Sequence, residues 1–215
     1  MMRLDVHQPP AEFFEEFSAA YSNDIGTLLG RIATVVHKSK SDFAEQFFDG
    51  RLMRRHSSVA FLARLKVQER EQLKHQQTSH LDFLMSARLT PQVHFERALR
   101  VGRMHEMAGV DLLHLLEAYE RYHQRICRLL PATGLDLQQQ QCLEQAVRQR
   151  QMLDIEGQMA GHYKVDVETA ATVVAIDKAM RGGGNLSDLL HGTLEAISTL
   201  DGVSACVFAR PDSLG

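Results

Sequence analysis

Apolar residues recur at intervals of three and four along most of the chain, the spacing that places them on one face of an α-helix. After Pro9 and Pro10 this helical spacing continues almost without interruption as far as residue 180. The fold class predicted for this part of the chain is therefore all-α. The predicted helices lie at 13–21, 25–36, 43–52, 58–70, 71–87, 91–108 and 112–129.

One of these helices has a clear signal at each end. Thr90 followed by Pro91 is typical of a helix start, with threonine as N-cap and proline at the first helical position. Gly109 is typical of a helix end, because glycine adopts the left-handed conformation at little cost. The inward stripe of this helix, spaced by three and four residues, consists of Phe95, Ala98, Gly102 and His105.

A much longer helix is predicted from 137 to 180, where there is no proline and the only glycines are Gly157 and Gly161. This length exceeds that of a typical globular helix, so we expect the helix to protrude, to dimerise or to join two domains. Its small residues suit close contact with another helix. They are Gly157, Ala160, Gly161, Ala170, Ala171 and Ala175.

The pattern changes after the glycine-rich segment 181–185, which we interpret as a flexible joint. No strand precedes this segment and no GK[ST] follows it, so it does not match a phosphate-binding loop. A further amphipathic helix is predicted at 186–200, and 203–209 has the composition of a strand. A strand without a partner is not stable, so we expect 185–215 to be the beginning of a truncated α/β domain.

Composition narrows the functional class. The 215 residues carry 24 Lys and Arg against 27 Asp and Glu, a net charge of −3 that argues against nucleic-acid binding. Cys127, Cys142 and Cys206 lie far apart, so the sequence indicates neither a structural zinc site nor a disulfide framework and fits a reducing compartment. No secretory signal and no apolar run of roughly 18 residues is present. We expect a cytoplasmic protein that does not enter a membrane.

Histidine is the unusual component, with 11 copies. None of the common hydrolase, phosphate-loop or CxxC motifs is present. His105 is the strongest candidate for chemistry, because it lies on an apolar helical face immediately before the turn at Gly109. A neutral imidazole held there could ligate a metal or a haem iron.

The segment from His94 to Tyr122 resembles the haem-binding stretch of the globin-coupled sensors, approximately R-x-x-x-x-G-x-x-H-x-x-x-G-V/L-x(7)-A-Y/F. The matching residues are Arg97, Gly102, His105, Gly109, Val110, Ala118 and Tyr119. Upstream, Leu73-Lys74 followed by His80-Leu81 resembles the distal helix of that family. The resemblance covers roughly 15–165.

The resemblance implies a haem b cofactor with His105 as the proximal iron ligand. It also implies an apolar pocket that excludes water. The candidate lining residues are Phe47, Phe48, Leu73, Leu84 and Tyr119.

The distal side departs from the family. Many members hold bound oxygen with a tyrosine, but the corresponding position here is Phe48 or Phe47, and neither can donate a hydrogen bond. Gln76 or Gln77 is an alternative donor. A pocket without a donor is the other alternative and would favour CO or NO.

For several other histidines the sequence leaves more than one role open. His75 or His80 could ligate the iron from the distal side, although we expect His80 to have a packing or capping role. His114 and His123 are expected at the solvent or at an interface.

The resemblance implies a regulatory gas sensor that has no catalysis of its own. The expected organisation is a flexible N-terminus at 1–12, a globin-like domain at 13–163, a linker at 164–184 and a GAF-like fragment at 185–215. We expect a homodimer through the helices at 110–130 and 137–165, and a diguanylate cyclase as output. The alternatives are a haem-free helical dimerisation module and, last, a haem protein with dioxygenase or peroxidase-like activity.

Overall fold

The computed structural model describes residues 9–38, 65–182 and 186–199, and within these ranges the chain is helical with no strand. The α-helices are α1 (Ala11–Glu15), α2 (Asn23–Lys38), α3 (Val67–Leu84), α4 (Pro91–Met107), α5 (Leu112–Leu129), α6 (Leu137–Arg181) and α7 (Leu186–Ser198). Short 3₁₀ turns occupy Ser18–Tyr21 and Leu130–Thr133. The prediction of an all-α fold is confirmed for these residues. The predicted helix at 43–52, the strand at 203–209, Phe47 and Phe48 lie outside the described residues.

Both predicted ends of α4 are confirmed. The Thr90 hydroxyl accepts a hydrogen bond from the Val93 N–H, and Pro91 is the first helical residue. At the other end Gly109 has φ +69°, and the Val110 N–H donates to the His105 carbonyl. This is a Schellman arrangement, which ends α4 one turn after His105.

The chain divides into two compact units, Met1–His162 and Tyr163–Gly215, and α6 contributes to both. The first unit has two apolar clusters. One contains Leu29, Ile32, Val36, Leu81, Met85, Ile126, Leu130, Leu135, Leu143 and Val147. The other contains Phe14, Phe17, Phe95 and Leu153. In the second unit, α7 approaches α6 where a Cβ added to Gly192 would lie 3.0 Å from the Ala179 Cβ, and Ala196 is buried.

Glycines allow α4 and α6 to touch through their backbones. A Cβ at Gly102 would overlap the backbone of Gln158, and one at Gly161 would overlap the Leu99 carbonyl. A Cβ at Gly157 would lie 2.6 Å from the Ala98 Cβ. The expectation that small residues of the long helix suit close packing is therefore confirmed for Gly157 and Gly161.

Substituting Gly102 by alanine should lower the free energy of unfolding by about 1–3 kcal/mol, because the new methyl group meets main-chain atoms of α6 that no rotamer change can move. Denaturant unfolding of the purified chain measures this change. Gly30→Ala is the matched control, since nothing lies within 4 Å of its added Cβ. The control should be neutral or stabilising by about 0.5–1 kcal/mol. Equal effects of the two substitutions would contradict the close crossing.

Candidate functional site

A line of polar side chains runs through the interior of the first unit on one face of α6. Arg150, Asp154, Gln158 and His162 follow one another at intervals of four residues and are 1%, 0%, 1% and 4% exposed. We call these four residues the polar stripe. Buried polar groups are costly without partners, so each of them must be satisfied by another element.

His105 is held by the polar stripe. Its Nδ1 lies 2.9 Å from Gln158 Oε1. An amide oxygen only accepts, so Nδ1 carries the hydrogen and the lone pair at Nε2 is left available. Burial lowers the pKa of His105 below its usual value, against the opposing effect of the hydrogen bond with Gln158. The imidazole is therefore neutral at neutral pH and oriented by α6.

Hydrogen bonds connect Gln158 to the buried carboxylate of Asp154. The Gln158 amide donates to the Tyr119 hydroxyl at 2.7 Å, and that hydroxyl donates to Asp154. The same carboxylate oxygen accepts from His80 Nε2 at 2.7 Å. His105 on α4 is thus linked to His80 on α3 through side chains of α5 and α6.

A second histidine approaches Asp154 from the start of α4. His94 Nε2 lies 3.2 Å from Asp154 Oδ1, and Tyr21 donates to His94 Nδ1. Burial alone raises the pKa of Asp154. The charge of His80 and the hydrogen bonds from His80 and His94 outweigh burial and hold this pKa well below its usual range. Asp154 is therefore an ionised group inside the core.

Arg150 binds main-chain carbonyls at the N-terminal end of the polar stripe. Its guanidinium donates to the carbonyls of Ala20, Leu84 and Ser86 at 3.0, 2.7 and 2.8 Å. It also lies 4.4 Å from the centre of the Tyr21 ring, a cation–π contact. Burial lowers the pKa of Arg150 to about 10, so the group remains charged at neutral pH. Arg150 thereby joins the ends of the 3₁₀ turn and of α3 to α6.

The described residues that were predicted to line a pocket differ in their burial. Tyr119 and Leu84 are buried, and Leu73 is half-buried. Gln76 is exposed, whereas Gln77 is half-buried, and its Oε1 is buried with no hydrogen-bond partner in the described part of the chain. Of the two glutamines, Gln77 is therefore the one that points inward.

The histidines on the neighbouring helices differ in position. His75 is exposed, whereas His80 packs inside the unit and binds Asp154. Of the two environments expected for His114 and His123, solvent is wrong, since His114 is buried and the His123 side chain is 13% exposed, while an interface stays a prediction. The reason is the helical period, because His123 falls on the face of α5 that Tyr119 already buries.

The residues around His105 fit a haem on its proximal side. A globin iron takes a neutral imidazole, and a hydrogen bond at Nδ1 fixes the ring so that Nε2 can ligate. His105 with Gln158 meets both conditions. The opposite wall would involve Phe47 and Phe48, which lie outside the described residues. A cavity of about 350 Å³ lies between α1 and the start of α4, beside Tyr21 and Leu89, and does not include His105.

The polar stripe was missed by the sequence analysis, although a signal for it exists. The signal is the repeat R-x-x-x-D-x-x-x-Q-x-x-x-H at 150–162, which places one polar residue per turn on the same side as Gly157 and Gly161. A polar repeat on a helix is usually solvated, so its burial becomes evident only when the partners on other helices are known.

The buried state of His94 predicts a pH dependence of stability. Burial lowers the pKa of His94 below the ordinary value of about 6.5, despite the hydrogen bond and charge of Asp154. As the pH is lowered from about 7 to about 5, the unfolded chain gains a proton at this residue that the folded chain does not. The free energy of unfolding should therefore decrease as the pH is lowered. Asp154, whose pKa is depressed, loses its contribution only below about pH 4.

Denaturant unfolding of the purified chain at several values between about pH 7 and pH 5 measures how its free energy of unfolding depends on pH. The same measurement on His94→Gln gives the comparison. The variant should show a flatter dependence, and replacement of the exposed His75 by glutamine is the control. An unaltered slope in His94→Gln would show that residue 94 does not titrate in this way.

One comparison with known protein families agrees with the helical fold. The family model described as Protoglobin matches residues 13–163. No curated protein and no solved structure matches the chain significantly. None of the described helices is both long enough and apolar enough to cross a membrane. Because the family match spans more than half of the sequence, the chain belongs to the protoglobin family, a family of haem-binding, gas-sensing globins.

Proposed function

We propose that this chain is a haem-based sensor of diatomic gases in which His105 is the iron ligand and the cofactor is haem b. The observation that carries the proposal is the neutral, half-buried His105 imidazole held at Nδ1 by Gln158. When bound, haem supplies the iron at which a gas ligand is captured. Gln158 orients the imidazole, and the buried Tyr119 fixes the Gln158 amide.

On the distal side, we assign the hydrogen-bond donor to Gln77. The Gln77 side chain is half-buried and its amide end lies inside the protein, whereas Gln76 on the same turn is exposed. An amide N–H from Gln77 would stabilise oxygen more than CO, because oxygen draws more negative charge when bound. The proposal therefore favours oxygen as the physiological gas.

The transmission of the signal rests on the contact between α4 and α6. Their backbones meet at Gly102, Gly157 and Gly161, so a shift of α4 has to displace α6. α6 is one continuous helix that reaches Arg181 in the second unit. We propose a GAF-like region after it, at 185–215, and a diguanylate cyclase as the output. In this proposal the sensor regulates and any catalysis belongs to the output domain.

The proposed homodimer uses α5 and the first part of α6. Both helices expose apolar side chains that a monomer would leave in water: Leu113, Leu116, Met152, Met159 and Tyr163. A partner copy would cover them, and the haem would then report to a shared helical bundle. The mass of the purified chain by light scattering tests this assignment.

Replacing His105 by alanine should abolish the Soret band of the reconstituted chain or weaken haem retention severely, because the iron loses its protein ligand. Gln158→Leu should keep the band but lower haem affinity by about 10- to 100-fold, since the imidazole loses the group that orients it. Ultraviolet–visible spectra with transfer of haem to apomyoglobin measure both effects.

His75→Ala is the control and should behave like the natural chain, since His75 is exposed. A natural chain without a Soret band after reconstitution would favour the haem-free dimerisation module. Loss of haem in a His75 or His80 variant, with His105→Ala unchanged, would refute the ligand assignment.

Replacing Gln77 by leucine should accelerate oxygen dissociation by roughly tenfold, which corresponds to the loss of one hydrogen bond of about 1.4 kcal/mol. CO dissociation should change much less. Stopped-flow measurements on the ferrous chain provide both rates. Gln76→Leu is the matched control, and an equal effect of the two substitutions would contradict the assignment of Gln77 as donor.

A further inference from the structure

A second cluster of potential metal ligands lies between α5 and α6. His123 and Cys127 occupy successive turns of α5, and Glu144 faces them from α6. The ligand atoms of the three side chains all lie within 4.8 Å of one another. The cluster consists of one nitrogen, one sulfur and one oxygen donor, each from a different side chain.

Two of the ligand atoms already lie at a separation found in tetrahedral zinc sites. His123 Nε2 lies 3.7 Å from Glu144 Oε1. Zinc binds nitrogen and oxygen at about 2.0–2.2 Å and sulfur at about 2.3 Å, so neighbouring ligands of a tetrahedral ion stand roughly 3.3–3.7 Å apart. The other separations are within 4.8 Å, and the half-exposed Glu144 can approach its partners by a change of rotamer.

A supporting residue orients the histidine. His123 Nδ1 lies 3.1 Å from the amide oxygen of Gln151, a residue that is itself buried. Nδ1 therefore carries the hydrogen, and the lone pair of Nε2, which lies 3.7 Å from Glu144 Oε1, is left for a metal ion. Metal-binding histidines commonly have such a partner on the other ring nitrogen.

We propose that His123, Cys127 and Glu144 form a zinc-binding site that joins α5 to α6. The mixed set of ligands suits an ion of intermediate softness, and three protein ligands leave the fourth position to water. On binding, the Cys127 S–H bond breaks, a Zn–S bond forms and one proton passes to the solvent. His123 binds through its imidazole nitrogen and Glu144 through a carboxylate oxygen. The site shares no residue with His105 or the polar stripe, so it can be tested independently of haem.

Zinc titration of the reduced, chelator-treated full chain by isothermal calorimetry tests the proposal. Repeating the titration in buffers of different ionisation enthalpy counts the released protons. One zinc and about one proton per chain are expected at neutral pH. Cys127→Ser should weaken binding most, Glu144→Gln should also weaken it, and Gln151→Leu should weaken it by about 10- to 100-fold.

Cys142→Ser is the matched control, because Cys142 is an exposed cysteine on α6 outside the cluster. It should bind zinc like the natural chain, and so should His105→Ala. Glu144→Gln keeps the test valid if Cys127→Ser fails to fold, since Glu144 is 47% exposed. The proposal is overturned if the natural chain binds no zinc, or if Glu144→Gln and Gln151→Leu leave zinc affinity unchanged.

Discussion

The polar stripe of α6 is the constraint on which the first unit depends. Burying a guanidinium, a carboxylate, an amide and an imidazole is unfavourable unless each finds a partner. Arg150 binds carbonyls at the end of α3, Asp154 binds His80 and His94, and Gln158 binds His105. The partners come from elements that precede α6 in the chain, so satisfying the stripe fixes how those elements are arranged.

This constraint also explains why the candidate ligand is so well placed. An apolar core would bury His105 without choosing between its two ring nitrogens. Gln158 makes that choice because its oxygen can only accept, and Tyr119 keeps the amide from rotating. The same stripe that specifies helix register therefore also sets the chemistry of the site.

Local signals were sufficient to predict much of the fold. Thr90 with Pro91 and Gly109 define α4 because capping depends on adjacent residues, and the absence of proline from 137 to 180 predicts the length of α6. The ligand candidate also followed from one stripe of one helix. The network around it could not be predicted, because its partners are distant in sequence. Tyr21 and His94, for example, are 73 residues apart, and each taken alone is typical of a surface or a core position.

The glycines of the α4–α6 crossing have an evolutionary consequence. Substitution by a larger residue that overlaps a neighbouring side chain can be compensated when the neighbour is replaced by a smaller residue. At Gly102 and Gly161 the neighbouring atoms belong to the main chain, which no substitution can reduce. Relatives that keep this crossing can therefore accept no second-site compensation there. These two positions should be invariant among them.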